Sequence, residues 1–284
     1  MANSVLVFGA SGQVGSALMN ALWNRVDVDV IGTCNSHIVP GYEVVDIRIR
    51  QDVFDVVRRV MPNTIYVAAY ASNADDCESL SYTRQTNITG IFNVVDAAVV
   101  VKAKIVFYSS SYVFDGQQLE PYTVYDGVSP LQQYGVHKII GESKVLSNPT
   151  GNLVIRTVGV FGQEVAGKNF AYQVLNACSR KEEMRVPDNQ IMNPINNVHL
   201  ATASIALVDS GFSGLAHIAG NLPVTKHQFA LDIANEFGYR GDNIFVDNSE
   251  KGKAHRPHNG CLKSNIECDY FDGIRMFHDK QKQG

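Results

Sequence analysis

The sequence lacks the features that mark several protein classes. It has no cluster of Lys and Arg and a formal net charge of −4, which argues against nucleic acid or an anionic membrane as the main partner. No apolar run is long enough to span a bilayer, so no membrane association is expected. The five cysteines are scattered without metal-ligand or disulfide spacing, so we expect no metal site. No secretory leader pattern is found, and we expect a cytoplasmic protein with reduced thiols.

Short β-branched runs alternate with longer amphipathic stretches, which predicts an α/β fold: a Rossmann-type, doubly wound parallel sheet. Residues 1–162 form the predicted dinucleotide-binding domain, and residues 163–284 a smaller C-terminal substrate lobe interleaved with it. The predicted helices are Gln13–Trp23, Arg50–Met61, Ser79–Val101, Gln133–Leu146, Asn169–Arg180, Val198–Asp209 and Lys226–Phe237. The predicted strands are Ser4–Phe8, Val28–Gly32, Glu43–Asp46, Thr64–Ala69, Lys104–Ser109, Leu153–Arg156 and Met184–Pro187, and the tail from Asp247 onward is predicted to be turn-rich.

A glycine-rich loop joins the first predicted strand to the first predicted helix. Its sequence is Gly9-Ala10-Ser11-Gly12-Gln13-Val14-Gly15, a G-x-x-G-x-x-G pattern where dinucleotide-binding folds hold a pyrophosphate. Gly9 permits the tight turn, Gly12 lets the backbone approach the phosphates, and Gly15 lets the helix pack close to the sheet. The N-terminus of the helix also presents unpaired N–H groups to the phosphates. We therefore predict that the loop, including Ser11, Gln13 and Val14, binds a dinucleotide.

The end of the second predicted strand favours NADP(H) over NAD(H), which stays open as the alternative. No carboxylate stands there to accept the ribose 2′-hydroxyl, and Thr33, Asn35 and Ser36 could donate hydrogen bonds to a 2′-phosphate. Asp46, followed by Ile47, is predicted to contact the adenine. The competing interpretation of Asp46 is a carboxylate at the start of the next helix.

Three polar side chains form the predicted catalytic group. Tyr134 and Lys138 lie at positions i and i+4 of a predicted helix, so they share one face. A nearby ammonium would lower the pKa of the tyrosine and make it a better acid at neutral pH. Ser110 follows a predicted strand, at the carboxyl end where parallel sheets bind ligands, and could donate to a substrate carbonyl. His137 is expected to face solvent.

With these motifs the chain resembles the dTDP-4-dehydrorhamnose reductase family of the extended short-chain dehydrogenases/reductases. The resemblance covers nearly the whole chain and rests on Gly9–Gly15, Ala68–Ala71, Ala74–Glu78, Tyr108–Phe114, Ser129–Leu131, Tyr134, Lys138, Arg156-Thr157, Asn169-Phe170 and Arg256–Asn259. It implies NADPH-dependent reduction of a 4-keto-6-deoxy nucleotide sugar, with Ser110, Tyr134 and Lys138 as the catalytic triad. The cofactor-lining residues that it implies are Ala68, Ala69 and Tyr70. The substrate residues that follow from it are Ser111, Tyr112, Val113, Asn169 and Arg256.

The role of Arg256 and of a nearby acidic cluster has a structural alternative. The resemblance implies that Arg256 holds a diphosphate as a bidentate donor, and a structural salt bridge is the competing explanation. Asp75, Asp76 and Glu78 are expected to form a solvated helix start rather than a metal site.

The sequence departs from the family pattern at three places. Ser111 stands where the rhamnose-pathway enzymes usually have an acidic residue, and Gly159 where they have a tryptophan near the sugar. These two departures leave the sugar open. Ser16 and Ala17 replace a glutamate that holds a dimer-bridging metal, so a homodimer stays open without that metal.

Two other functions stay open as alternatives. One is a non-catalytic NADP-binding regulatory subunit resembling that of methionine adenosyltransferase, and the other is a nucleotide-sugar epimerase or dehydratase. Related bifunctional enzymes place a reactive cysteine beside the catalytic hydroxyl, where this chain has Ser111 and Tyr112. We therefore predict reduction without epimerisation.

Overall fold

The computed structural model describes residues 3–250 and 252–282. The helices are α1 Gln13–Trp23, α2 Arg50–Val60, α3 Ala74–Cys77, α4 Ser81–Arg84, α5 Ile91–Val101, α6 Gln133–Leu146, α7 Phe170–Arg180, α8 Asn197–Asp209, α9 Lys226–Glu236 and α10 Tyr270–Lys282. The strands are β1 Asn3–Phe8, β2 Val28–Cys34, β3 Glu43–Val44, β4 Thr64–Val67, β5 Lys104–Ser110, β6 Leu153–Thr157, β7 Val160–Phe161, β8 Met184–Val186, β9 Ile191–Met192, β10 Ile195–Asn196, β11 Gly214–Gly220, β12 Val224–Thr225, β13 Ile244–Val246 and β14 Ile266–Cys268.

Eight strands form the central sheet, in the order β3-β2-β1-β4-β5-β6-β11-β14. Every neighbouring pair in this sheet is parallel. The strand order reverses at β1, which lies between β2 and β4, and in such sheets ligands bind beyond the carboxyl ends of the strands at this point. The predicted Rossmann-type, doubly wound parallel sheet is confirmed.

Both faces of the sheet are covered by helices because successive strand residues point to opposite sides. On β1, Val5 and Val7 pack in one hydrophobic cluster with residues of α1 and α8. Leu6 and Phe8 pack in a second cluster with residues of α2 and α5. These two clusters fix the carboxyl ends of the strands, and with them the loops that follow.

A third hydrophobic cluster forms the core of the smaller lobe, which is built mainly from α7, α9 and α10. It contains the buried rings of Phe161, Phe229 and Phe277. Three short strand pairs accompany it: β7 with β10, β9 with β12, and β8 with β13. The chain beyond residue 162 also supplies α8, β11 and β14 to the Rossmann part, so the lobe and the sheet are interleaved in sequence.

The helix predicted over Ser79–Val101 is confirmed over Ser81–Val101, but part of it is not a regular α-helix. The chain forms α4, then a π-helical segment Gln85–Gly90, and then α5. Buried Asn87 in the π-helical segment bonds both backbone polar groups of Ala71, with distances of 2.8 Å and 3.0 Å. A Cβ on Gly90 would lie 2.7 Å from the Ile47 side chain. The π-helical segment is therefore joined to the backbone of the loop that follows β4.

The expected turn-rich tail is also wrong in its second half. β14 adds a strand to the edge of the central sheet, paired with β11, and α10 covers the lobe. Within residues 3–250 and 252–282, no helix has both the length and the apolar character needed to cross a membrane.

Candidate active site

Two adjoining cavities open at the carboxyl ends of the central strands. The first, of about 350 Å³, is called the loop cavity here; it is lined by Gly9, Ser11, Gly12, Thr33, Cys34, Asn35, Ser36, Val45, Asp46, Ile47, Arg48, Ala68, Ala69, Tyr70, Ala71, Tyr82 and Thr86. The second, of about 540 Å³, is the tyrosine cavity; it is lined by Gly12, Gln13, Val14, Val67, Ala68, Tyr70, Ser72, Tyr108–Tyr112, Tyr134, Lys138, Thr157–Val160, Glu164, Phe170, Met192, Lys226 and Phe229. Gly12, Ala68 and Tyr70 line both, so the two cavities form one continuous groove.

The glycine loop adopts the close-packed geometry that its sequence predicts. Gly9 has φ +79°, a conformation that favours glycine, and a Cβ there would lie 2.5 Å from the Ala69 nitrogen. A Cβ on Gly15 would lie 2.1 Å from the Gly9 carbonyl oxygen, so the start of α1 fits against the loop only with glycine there. Gln13 ties the loop to the lobe, because its side-chain amide donates to the Val160 carbonyl at 3.2 Å.

One wall of the loop cavity is formed by the predicted cofactor residues at and beyond the ends of β2 and β3. Thr33, Asn35 and Ser36 line it together with Asp46 and Ile47, whose side chain is buried. The helix start at Ile49 has no side-chain cap, so Asp46 does not cap α2. These residues lie next to the glycine loop, because the Ala10 N–H donates to the Thr33 carbonyl at 2.7 Å.

Arg48 is a lining residue that the sequence reasoning missed, because it lies beyond the end of the second strand where a cation is usually sought. Its guanidinium donates to Asp46 from Nε to Oδ1 at 2.9 Å and from Nη2 to Oδ2 at 2.5 Å. These hydrogen bonds lower the pKa of Asp46. The loop cavity therefore carries a paired carboxylate and guanidinium at this wall.

The three predicted catalytic side chains line the tyrosine cavity together. Ser110 lies at the end of β5 and Tyr134 on α6, and both line the same cavity, close enough for the Ser110 hydroxyl to influence the pKa of Tyr134. Two rings hold Tyr134 edge-on: that of Tyr70, with centroids 5.7 Å apart, and that of Tyr112, with centroids 5.9 Å apart. This wall of the tyrosine cavity is thus built from the chain that follows β4, the end of β5 and one face of α6.

Lys138 lies buried beneath this wall. Its ammonium donates to the Tyr108 carbonyl at 2.6 Å and lies 3.2 Å from the centroid of the Tyr70 ring. Burial lowers the pKa of Lys138 to about 7, and the negative charge of Glu142 opposes this lowering. A cation over an aromatic face is stabilised by the ring electrons, which helps to fix the ammonium.

The expected lowering of the Tyr134 pKa is wrong. Burial raises the pKa of this phenol, the neighbouring Tyr112 raises it further, and only the hydrogen bond with Ser110 lowers it. The Lys138 ammonium lies 5.4 Å from the centroid of the Tyr134 ring and makes its short contacts with Tyr70 and Tyr108 instead. Tyr134 is therefore a protonated phenol at neutral pH.

A buried ion pair lies one turn beyond Lys138 on α6. Arg156 of β6 donates to Glu142 from Nε to Oε1 at 2.9 Å and from Nη2 to Oε2 at 2.7 Å. The Ser109 hydroxyl donates to the same Oε1 at 2.5 Å. The pair ties α6 to β5 and β6, and so supports the helix that carries Tyr134 and Lys138.

Some of the predicted substrate residues line the tyrosine cavity and others do not. Ser111 and Tyr112 line the tyrosine cavity. Val113 is fully buried in a small hydrophobic cluster with Phe114 and Tyr122. Asn169 caps α7, since its Oδ1 accepts from the Ala171 N–H at 3.1 Å, and its Nδ2 donates to the Gly162 carbonyl at 2.8 Å.

Arg256 forms the salt bridge that was the competing explanation for it. Its guanidinium donates to Asp75 from Nη2 to Oδ2 at 2.7 Å and from Nη1 to Oδ1 at 3.1 Å. The Asp75 carboxylate also accepts hydrogen bonds from the backbone N–H groups of Lys253 and Ala254. The bonds from Arg256, together with these two, hold the pKa of Asp75 well below its usual range. Arg256 also lies near Tyr112, since its positive charge lowers the pKa of the buried Tyr112 phenol. The expectation that Asp75 is only solvated is therefore wrong, because its carboxylate binds the segment 253–256 to α3.

The expected solvent-facing His137 is also wrong. Its side chain is buried, and Nδ1 lies 3.4 Å from Nδ2 of Asn87 in the π-helical segment. Burial lowers the pKa of His137. Glu78, expected at a solvated helix start, accepts the Gln133 backbone N–H at 2.7 Å and thereby supports the start of α6.

The lobe supplies five lining residues of the tyrosine cavity that the sequence analysis did not predict. They are Glu164, Phe170, Met192, Lys226 and Phe229. Phe170 is visible in the sequence only as part of the family resemblance. The others come from three separate segments, and no local pattern brings them together.

The chain is similar to known proteins over nearly its whole length. The family described as RmlD substrate binding domain matches residues 3–280. The dTDP-4-dehydrorhamnose reductase of Shigella flexneri is 28% identical over 279 residues, covering 92% of this chain and 89% of that protein. Methionine adenosyltransferase 2 subunit beta of Rattus norvegicus is 26% identical over 267 residues, covering 91% of this chain and 79% of that protein. The structure of dTDP-4-dehydrorhamnose reductase from Bacillus anthracis in complex with NADP superimposes with a TM-score of 0.90 at 24% identity, covering 99% of this chain and 100% of that chain.

Proposed function

The chain belongs to the RmlD substrate binding domain family, and from this premise we propose that it reduces the C4 keto group of a 4-keto-6-deoxy nucleotide sugar with NADPH. The observation that carries the proposal is the placement of Ser110, Tyr134 and Lys138 on the wall of the tyrosine cavity, which continues the groove from the glycine loop. The reductase relatives support the substrate class.

The loop cavity fits a dinucleotide. Gly9 and Gly12 keep the floor of the groove free of side chains, and the N-terminus of α1 faces it with unpaired N–H groups. Thr33, Asn35 and Ser36 would hold the adenosine ribose, and Arg48 supplies positive charge for a 2′-phosphate. NADPH bound along this groove would supply hydride to the substrate carbonyl carbon.

Ser110 and Tyr134 act on the carbonyl oxygen. Both hydroxyls belong to the lining of the tyrosine cavity, so a carbonyl oxygen placed between them would accept a hydrogen bond from each. Their donation polarises the carbonyl and favours attack at carbon. Because burial keeps the phenol of Tyr134 protonated at neutral pH, it can donate its proton to the oxygen as negative charge develops there.

Lys138 supports this proton transfer from beneath. Its ammonium would hold the nicotinamide ribose hydroxyls. It would also stabilise the phenolate that forms when Tyr134 donates its proton. With a pKa of about 7 it is partly charged at neutral pH, so turnover should depend on pH in this range. Tyr70, in contact with both side chains, holds them in position.

The test is NADPH oxidation with a panel of nucleotide-linked 4-keto-6-deoxy sugars, comparing wild type with Tyr134→Phe. Removal of the proton donor should lower kcat by about 10²–10⁴-fold while the Kd of NADPH stays within about threefold. Tyr125→Phe is the matched control, because Tyr125 is 94% exposed and lies outside both cavity linings. Near-normal turnover of Tyr134→Phe would refute the assignment.

A regulatory role is the second candidate, favoured by the similarity to methionine adenosyltransferase 2 subunit beta. In that case the chain would bind NADPH and alter the kinetics of a methionine adenosyltransferase catalytic subunit without oxidising NADPH. Adding the purified chain to such a subunit and measuring its KM for methionine separates the two functions. A changed KM together with no turnover on the sugar panel would favour the regulatory role.

A further inference from the structure

Two lysines line the tyrosine cavity, and only one has a place in the proposed chemistry. Lys138 lies at the catalytic end. Lys226 is contributed by the lobe, as the first residue of α9 after the N-cap Thr225. Its backbone N–H already donates to the Gln190 carbonyl at 2.9 Å, so what it offers the cavity is its ammonium.

The Lys226 ammonium is partly buried and lacks a counter-charge. Among residues 3–250 and 252–282, no carboxylate forms an ion pair with it. Burial and the positive charge of Arg256 both lower the pKa of Lys226. Glu164, the carboxylate of the same cavity lining, turns to its own loop, where it accepts the backbone N–H of Lys168 at 2.7 Å and of Asn169 at 2.5 Å.

Aromatic rings hold Lys226 in place. Its ammonium lies 5.0 Å from the centroid of the Phe170 ring, a cation–π contact. Phe170 packs in turn on Phe229, with centroids 5.5 Å apart, and both rings line the cavity. An unpaired charge that is partly withdrawn from water is costly unless an opposite charge reaches it.

We propose that Lys226 binds the phosphate groups of a nucleoside diphosphate moiety, at the lobe side of the tyrosine cavity. The proposal rests on the proposed function, in which the sugar lies at the Tyr134 side of the same cavity. Arg256, the residue expected to hold the diphosphate, is engaged by two hydrogen bonds to the Asp75 carboxylate. Of the two lysines that line the tyrosine cavity, Lys226 is the one contributed by the lobe, and no carboxylate of the described residues forms an ion pair with it.

The test compares binding of dTDP and thymidine to the NADPH-loaded protein by titration calorimetry. Wild type should bind dTDP more tightly than thymidine. Lys226→Met should weaken dTDP binding by about 10–100-fold, the range for a lost hydrogen bond to a charged group, and change thymidine binding by less than about threefold. Lys226→Arg should retain most of the preference because it keeps the charge.

The controls separate a local effect from a general one. Lys263→Met removes an exposed lysine of a different surface groove and should leave both affinities unchanged. Thermal unfolding of each variant checks the fold. Should Lys226→Met not fold, raising the salt concentration from about 50 to 500 mM should weaken dTDP binding to wild type and spare thymidine.

The outcomes distinguish this proposal from the proposed function. Keto-sugar reduction by wild type, with the preference for dTDP intact in Lys226→Met, would overturn the role of Lys226 and leave the reductase standing. Loss of the preference in that variant, with no keto sugar reduced by wild type, would support the diphosphate site and reject the reductase. Equal affinity of wild type for dTDP and thymidine would overturn the site directly.

Discussion

Replacing Glu142 with glutamine tests whether the buried ion pair with Arg156 holds α6 against the sheet. The side chains of Arg156 and Glu142 are only 5% and 7% exposed, and two hydrogen bonds join them. Glu142→Gln keeps the shape of the side chain but removes its charge. The guanidinium of Arg156 is then left in the interior without a counter-ion.

The expected loss of stability is large for one neutral, nearly isosteric change. Breaking a buried pair from one side costs about 3–5 kcal/mol, because the remaining charge stays desolvated. At roughly 2–4 °C for each kcal/mol in a chain of this size, Tm should fall by about 6–20 °C. Removing both charges, in Glu142→Gln with Arg156→Met, should recover most of that loss.

The assay is thermal unfolding followed by circular dichroism, with a surface pair as the control. Glu43 pairs with Arg59, and their side chains are 31% and 58% exposed. Glu43→Gln should cost under about 1 kcal/mol, because water already screens that pair. A Glu142→Gln protein that unfolds within about 2 °C of wild type would refute the reasoning, and so would a double variant no more stable than the single one.

Three further predictions concern the cofactor groove and Lys138. Gly15→Ala should weaken NADPH binding by about 5–100-fold in a fluorescence titration, because a Cβ would lie 2.1 Å from the Gly9 carbonyl oxygen; unchanged binding would contradict the close packing. Arg48→Ala should raise the Kd of NADPH about 10–100-fold and that of NADH little, since it removes a cation and leaves Asp46 unpaired; equal effects on both would contradict this. Because the pKa of Lys138 falls from 10.5 to about 7 on folding, its charge destabilises the fold below pH 7, and the penalty fades as the pH rises. Lys138→Met should therefore be stabilised relative to wild type at pH 7, and chemical denaturation should show that difference shrinking by about 2 kcal/mol by pH 9; a constant difference would contradict the lowered pKa.

The parts of the fold that local sequence determines were predictable. The bounds of α1 and α6 agree with prediction because each helix combines an apolar face with a clear start and stop. The glycine loop could be predicted from its G-x-x-G-x-x-G pattern and its position between a strand and a helix. The helix α10 was also readable in principle, since Tyr270, Gly273, Ile274 and Phe277 are buried at helical spacing, but the polar residues around this segment hide the pattern.

The parts that depend on distant contacts were not predictable. β11 begins and ends in glycine and has little strand character of its own, and it becomes a strand by pairing between β6 and β14. The same holds for the site. In the sequence His137 has the features of a surface residue, but in the structure it lies against Asn87. Lys226 has the features of a solvated helix start, but in the structure it lines the tyrosine cavity.

The lobe has a hydrophobic core of its own, and this separation bears on how such proteins diversify. Rings such as Phe229 both fill that core and line the tyrosine cavity, whereas the glycine loop stands on the two clusters that flank the sheet. Mutations in the lobe can therefore reshape the tyrosine cavity while the glycine loop and the two clusters beneath it stay unchanged. Selection can explore new acceptors here one tolerated change at a time.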